Sequence, residues 1–424
     1  MVDKRILEQV IQDQHNEIVA LRSEKLCSRK EEEQVDLDCN MAQVVIGVRR
    51  SGKSSLCFNV LNKRTKNFAY ANFDDERLAG LQTSDLNVVL EVLYKIYGDF
   101  KYLFLDEIQN VEGWHLFVNR LLRQRLHIVV TGSNAKLLSG ELATHLTGRN
   151  DQIELFPFSF AEWCECKGVE TKLITTKAEA QRRAAFDEYL KQGGFPELLH
   201  KKSRELYISN LMNSILKRDI EQRHNIRCVD AFEQLAHHLM NVAPTIVVEE
   251  GLATIVGVKS KHSINNNIRY LKEAYLLIEV KRYSKKSRMR VRAEKIYPID
   301  VALMDSRPNA FAGDNLGWRL ETVVCIELMR RNRYKFCDIY YYKSTGGYEA
   351  DFVVCKDNVV REVYQVSYDI TSEKTRKREI RGLLAASKET RCDNLYLITD
   401  FHREEVVVEN KVIHILPAYE WLIE

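Results

Sequence analysis

No stretch of this 424-residue chain approaches the ~20 consecutive apolar residues that a membrane-spanning helix needs. Its first residues, Met-Val-Asp-Lys-Arg-Ile-Leu-Glu, lack the apolar centre of a secretory signal, which predicts a cytoplasmic protein without a membrane partner. The 10 cysteines include no Cys-x-x-Cys pair, and the nearest two, Cys164 and Cys166, have no His or Cys beside them at zinc-ligand spacing. That pattern speaks against zinc and predicts reduced, mostly buried thiols. Charge of one sign is also lacking: 63 Lys and Arg stand against 60 Asp and Glu, so net charge alone implies no nucleic acid. Internal repeats and low-complexity tracts are absent. What is left, 45% hydrophobic and 29% charged, is the composition of a globular chain long enough for two to three domains.

Within that ordinary background, residues 47–54 read Gly-Val-Arg-Arg-Ser-Gly-Lys-Ser, a complete G-x-x-x-x-G-K-[ST] phosphate loop. An apolar run, Val44-Val45-Ile46, precedes it, and Ser54-Ser55-Leu56 reads as a helix start. A buried strand that delivers the loop and a helix that opens at its end turn backbone N–H groups and the helix dipole onto phosphate oxygens. Gly47 and Gly52 permit backbone conformations that a Cβ blocks. Lys53 is the point charge for the β and γ phosphates, and the Ser54 hydroxyl is a Mg²⁺ ligand. The remaining loop residues, Arg49, Arg50, Ser51 and Ser55, are expected to line the nucleotide.

Tyr102-Leu103-Phe104-Leu105 reads as a buried parallel strand carrying Asp106 and Glu107 at its C-terminal end, where open α/β sheets bind ligands. Asp106 is placed to hold Mg²⁺, and Glu107 to act as base for the attacking water. A third strand, His127–Thr131, ends in Gly132-Ser133-Asn134. Asn134 and Ser133 either orient the water or cap the next helix. Arg149 is either an arginine finger, in cis or towards a neighbouring subunit of a homo-oligomer, or a surface charge.

The strings GVRRSGKSSL, YLFLDEIQNVEGW, VVTGSNAKLLSGEL and FPFSFAEW together resemble the AAA-type P-loop ATPases of archaea and bacteria. GGFPELL (193–199), LKRDIEQRHNI (216–226), YPID (297–300) and EADFVV (349–354) resemble the second domain that those proteins carry. The resemblance runs from about residue 40 to the end. It implies ATP and Mg²⁺ as ligands and ATP hydrolysis as activity. It also implies that Gly194-Phe195-Pro196 matches the Gly-x-Pro motif of related signal-transduction ATPases, with Pro196 near the adenine; the residues alone read as a helix-ending turn.

The expected fold class is α/β. It comprises a helical segment (1–40), a P-loop parallel-sheet core (41–170), a helical lid and winged-helix region (171–300) and a C-terminal domain resembling PD-(D/E)xK nucleases (301–424). Glu31-Glu32-Glu33 reads as a solvated face or linker. Helical spacing around residue 235, a helix from Glu249 to Ile255, a turn at Gly257, a helix capped by Ser263 and a strand at Leu276–Val280 give the order of a winged helix. Lys281 to Arg292 holds seven Lys or Arg and no acid, which suits duplex DNA; the alternatives are a winged helix that serves as a lid or engages an unknown protein partner, and a hairpin that is only a solvated, charged edge. In the nuclease-like part, Asp351 lacks the Glu-x-Lys that should follow it. Gln365-x-Ser367 stands there instead, so nuclease chemistry is not expected. Glu349, Asp351 and Glu362 are left as weak metal ligands or solvent-facing acids.

Overall fold

The computed structural model describes residues 3–132, 146, 148–258, 260–284, 294–305 and 315–424. Ser133, Asn134 and five of the seven basic residues between Lys281 and Arg292 lie outside these described residues. The chain forms two compact units, Met1–Phe156 with Glu273–Tyr275, and Pro157–Lys272 with Leu276–Glu424.

The first unit runs α1 (Lys4–Leu21), β1 (Ala42–Ile46), α2 (Lys53–Arg64), β2 (Phe68–Asn72), α3 (Leu86–Tyr97), β3 (Tyr102–Asp106), α4 (Trp114–Arg123), β4 (His127–Gly132) and β5 (Asn150–Glu154). Its five strands lie in the order β2–β3–β4–β1–β5, and all pair in parallel. The apolar runs of β1, β3 and β4 are buried almost throughout, as strands covered on both faces must be. This is the parallel α/β sheet expected from the sequence. The insertion of β4 between β1 and β3 brings three strand ends to one edge, and those ends carry the candidate site.

The segment before β1 is more than a charged lead-in. Gln14 on α1 donates from Nε2 to Asn72 O and accepts from Asn72 N–H, each at 3.0 Å, so its amide continues the edge of β2. Of the acidic triplet only Glu33 is exposed. Glu31 is buried, and Glu32 accepts from the N–H of Arg29 at 3.0 Å and from Asn59 Nδ2 at 2.7 Å while pairing with Lys63 at 2.6 Å. Charge clustering indicates solvation only when no cationic or donor neighbour folds onto it, and α2 supplies two.

The second unit opens with α5 (Phe160–Lys167), whose start is a reciprocal cap: Ser159 Oγ accepts from Glu162 N–H at 3.2 Å and Glu162 Oε2 accepts from Ser159 N–H at 2.8 Å. Next come α6 (Thr176–Gln192), a Gly193–Gly194 turn, a 3₁₀ turn Pro196–His200 and α7 (Arg204–Ser214). They are followed by α8 (Val229–Val242), β6 (Thr245–Ile246), α9 (Glu249–Ile255), α10 (Lys261–Glu273), β7 (Leu277–Arg282) and β8 (Glu294–Pro298). The expected start of α10 at Ser263 is displaced, because Ser260 occupies the cap and accepts from Ser263 N–H at 3.1 Å through its carbonyl. The rest is α11 (Leu316–Asn332), β9 (Asp338–Lys343), β10 (Glu349–Lys356), β11 (Val359–Val366), α12 (Glu373–Thr390), β12 (Leu395–Thr399), β13 (Glu404–Val408), β14 (Lys411–Pro417) and α13 (Ala418–Trp421).

One nine-stranded sheet joins these elements, in the order β13–β14–β12–β11–β10–β9–β7–β8–β6. The join is a short parallel pairing of Lys281 with Tyr340 and Arg282 with Tyr341. Eight cysteines are free thiols, in line with expectation. Cys27 and Cys166 are each disulfide-bonded, which the expectation of thiols alone did not foresee. Among the described residues, no helix is long and apolar enough to cross a membrane.

Candidate functional site

The loop between β1 and α2 is shaped by its glycines. Gly47 has φ +146°, and a Cβ there would lie 2.2 Å from Leu155 O, so only glycine lets the loop pass the chain beyond β5. Gly52 holds φ 95° as the N-cap of α2. Lys53 is buried inside the loop, where Nζ donates to the carbonyls of Gly47 and Val48 at 3.2 Å each. Ser51 is fully buried, and its Oγ finds no hydrogen-bond partner among the described residues. A buried cation curled onto its own loop and an orphaned hydroxyl beside it are the donors that phosphate oxygens satisfy. Arg49 turns to Asp74 beyond β2, 3.6 Å away, while Arg50, at φ 65°, and Ser55 are exposed at the loop's outer side.

Three strand ends meet on Asp106. Ser54 Oγ donates to Asp106 Oδ1 at 3.0 Å, Thr131 Oγ1 donates to the same oxygen, and Tyr70 OH donates to Oδ2 at 3.1 Å. Burial, then the neighbouring Glu107, push the Asp106 carboxyl up to about 6, against the pull of Thr131, Ser54 and Lys53. Glu107 N–H donates to Thr131 Oγ1 at 3.1 Å, so one hydroxyl ties the two carboxylate residues together. Glu107 sits at φ 52°, left-handed for a non-glycine residue, and its Oε2 accepts from Gln109 Nε2. This strained turn ends β3 and separates the two carboxylates: Asp106 stays inside the sheet and Glu107 stays half-buried beside it. Ser54 is exposed.

Sequence reasoning missed three residues of this site. Tyr70 and Thr131 read as strand fillers, yet both hold Asp106. Arg29, buried in the segment before β1, donates to Ser51 O at 3.0 Å and to Phe156 O at 2.7 Å, bracing the loop from behind. Thr131 had one usable signal, a polar residue at the end of an apolar strand. Arg29 had none.

Arg149 is not brought to this site. It precedes β5, and its carbonyl accepts from the N–H of Ala42, the first residue of β1. The phosphate loop follows the last residue of β1, so five strand residues, roughly 16 Å, separate the two. The Arg149 side chain is exposed, in a cleft with Asn87, Asn119, Arg120 and Arg123. Pro196 lies in the second unit, at the first position of its 3₁₀ turn. There the Gly193–Gly194 turn is fixed by Asp300 of the YPID string, whose Oδ2 accepts from Gly194 N–H at 2.8 Å.

The nuclease-like candidates of the second unit are not brought together as a set. Glu349 pairs with Lys343, Glu362 accepts from Tyr364 OH at 3.0 Å, Gln365 Nε2 donates to Glu379 at 2.8 Å, and Ser367 Oγ donates to Asp369 O at 3.1 Å. Asp351 instead faces Glu321 and Lys295.

A family model described as an AAA domain matches residues 40–164, and one described as a domain of unknown function (DUF8612) matches residues 183–311. The chain is 33% identical to the uncharacterized protein MJ1544 of Methanocaldococcus jannaschii, over 99% of this chain and 96% of that one. It is 29% identical to an uncharacterized protein of Haemophilus influenzae, over 91% of this chain and 95% of that one. Among solved structures, the Walker-type ATPase PABY2304 of Pyrococcus abyssi aligns over 66% of this chain and 95% of its own, at 16% identity and a TM-score of 0.45.

Proposed function

This chain belongs to the AAA-domain family, and from that premise we propose that it binds ATP with Mg²⁺ at the Gly47–Ser54 loop, hydrolyses it, and couples nucleotide state to DNA or to a partner protein. The observation that carries the reading is the unbroken set of hydrogen bonds from Ser54 through Asp106 and Thr131 to Glu107, on the edge of the sheet where the loop ends. Lys53 and the loop N–H groups hold the β and γ phosphates. Ser54 and Asp106 have the oxygen chemistry that Mg²⁺ requires, and the ion supplies neutralisation of phosphate charge. Glu107 takes a proton from water as the water oxygen bonds to the γ phosphorus. The bond from that phosphorus to the bridging oxygen breaks, and ADP and phosphate leave. The position of Arg149, exposed and five strand residues from the loop, leaves it either a role towards the nucleotide of a second copy of the chain or that of a surface charge.

In the second unit, the order α8–β6–α9–α10–β7–β8 supports a winged helix, and α11–β9–β10–β11–α12–β12 supports a nuclease-like scaffold without nuclease activity. One observation favours the runner-up, a slow nucleotide-gated switch that engages protein without DNA. The described lysines of the winged helix already have acidic partners: Lys261 has Glu250, Lys272 has Glu279 and Glu294, Lys281 has Glu279, and Lys295 has Glu321. Steady-state ATP hydrolysis with Mg²⁺, with and without duplex DNA at two salt concentrations, separates the two. Stimulation that fades with salt supports the DNA-directed ATPase. Slow, unstimulated turnover supports the switch. No turnover, or turnover equal in Lys53→Ala, rejects the ATPase reading.

A further inference from the structure

The second unit contains an ionic cluster that this reading does not use. Lys295 on β8, Glu321 on α11 and Asp351 on β10 converge from three elements. Lys295 Nζ stands 2.5 Å from Glu321 Oε1 and 3.6 Å from Asp351 Oδ1, and the three side chains are only 12–15% exposed. Tyr297, two residues further along β8, donates to the same Glu321 oxygen at 2.8 Å. Asp351 Oδ2 accepts from Val366 N–H at 2.9 Å. A β-bulge between Ala350 and Val353, against β9, aims Asp351 into the cluster, a local break in regular pairing of the kind that re-aims side chains at sites.

Two carboxyl groups drawn together out of water need a cation or a proton between them, and burial and Glu321 push the Asp351 carboxyl up against the pull of Lys295. Of the other acids whose charge reaches the cluster, Glu349 has Lys343 and Glu379 has Arg378 as partners. Lys295 serves Glu321 and Asp351. Burial opposes its charge, but the two carboxylates more than offset that and raise its pKa, so the ammonium stays protonated. The positive charge that Gln365-x-Ser367 fails to provide thus enters from β8, far from that motif in the sequence.

We propose that Lys295 is the resident cation of this cluster, filling the place where Glu321 and Asp351 would otherwise hold a divalent metal, and that removing it turns the pair into a divalent-cation site. The three side chains carry this by their own geometry, so it stands even if the nuclease-like reading of the surrounding strands fails. Mn²⁺ titration calorimetry on the full chain without nucleotide tests it, in the parent, Asp351→Asn, Lys295→Met and Lys295→Met with Asp351→Asn. Mn²⁺ bound near Asp106 is common to all four and cancels. The expected result is equal stoichiometry in the parent and Asp351→Asn, one added equivalent in Lys295→Met, and its loss, or at least about tenfold weaker binding, in the double variant. A parent that binds more Mn²⁺ than Asp351→Asn overturns the proposal, as does a folded Lys295→Met with no added site. Lys295→Gln replaces the methionine variant if that does not fold. If neither folds, the parent and Asp351→Asn decide, equal stoichiometry supporting the proposal and a loss overturning it.

Discussion

Ser54 and Asp106, 52 residues apart in the chain, meet through a 3.0 Å hydrogen bond from hydroxyl to carboxylate. The bond joins the first turn of α2 to the end of β3, although β4 lies between β1 and β3 in the sheet. Because burial and Glu107 raise the Asp106 carboxyl to about 6, the folded chain holds this proton more tightly than the unfolded chain does. The stability it contributes is therefore complete below the ordinary carboxylate range and is lost as pH rises through about 6. Asp106→Asn is expected to remove that slope and to stabilise the nucleotide-free protein near neutral pH by about 1–2 kcal/mol, less than the full shift would give. It should also abolish Mg²⁺-dependent nucleotide binding. Thermal melts of both proteins at acid and neutral pH, with and without Mg²⁺ and nucleotide, check this.

Thr131 donates to Asp106 and accepts from Glu107 N–H. Thr131→Val keeps the shape and removes both bonds. The expected outcome is nucleotide affinity near that of the parent with kcat reduced roughly 10–100-fold, since about 1–3 kcal/mol of positioning of the two carboxylates is lost. A drop in affinity with kcat unchanged would place Thr131 outside the chemistry.

Glu107→Gln removes the proton acceptor while keeping an oxygen for Gln109 to meet. Turnover should fall by about 10²-fold or more while ATP stays bound, as loss of a general base predicts. Single-turnover hydrolysis set beside equilibrium nucleotide binding reads both quantities, and parental turnover in this variant would remove Glu107 as the base.

The loop, the Asp-Glu strand end and the strands around them were legible because each is a local pattern: an apolar run followed by glycine or by charge. Tyr70, Thr131 and Arg29 were not, because their importance lies in partners 22 to 127 residues away. Hydropathy shows that β4 is a buried strand but not that it inserts between β1 and β3, and only that insertion makes its threonine a neighbour of Asp106. Lys295 was hidden in the same way. A lysine in an amphipathic strand reads as solvent-facing until α11 and β10 close over it. The acidic triplet erred oppositely, since its composition was plain and its partners on α2 were not.

Arg29 is the clearest case for a residue that acts only through the loop. The residue is 5% exposed, and its guanidinium donates to two carbonyls, Ser51 O and Phe156 O. Arg29→Ala is expected to cost about 1–3 kcal/mol of stability by leaving buried acceptors without donors, and to weaken nucleotide binding with it. Arg29→Lys should recover little, since one ammonium on a flexible stem does not reproduce the planar fork. Chemical denaturation and nucleotide titration of both variants give the two readouts.

The Gly193–Gly194 turn gives a test confined to the second unit. Asp300 accepts from Gly194 N–H through Oδ2 and from Ala302 N–H through Oδ1, each at 2.8 Å, and burial raises its carboxyl to about 6. The turn is closed on its other side by Phe158, which donates to Gly194 O at 2.7 Å. A Cβ at Gly194 would lie 2.3 Å from Phe158 O, a backbone atom that cannot swing aside. Gly194→Ala must therefore open the Phe158 contact, at about 2–4 kcal/mol, the cost of overpacking plus a strained hydrogen bond. Asp300→Ala leaves both N–H groups buried without an acceptor and should cost a similar amount. The two changes act on one turn, so combining them should cost clearly less than their sum, whereas independent sites would add. Urea denaturation of the two single variants and the double variant measures the difference, and strict additivity would show that Asp300 does not act by holding this turn.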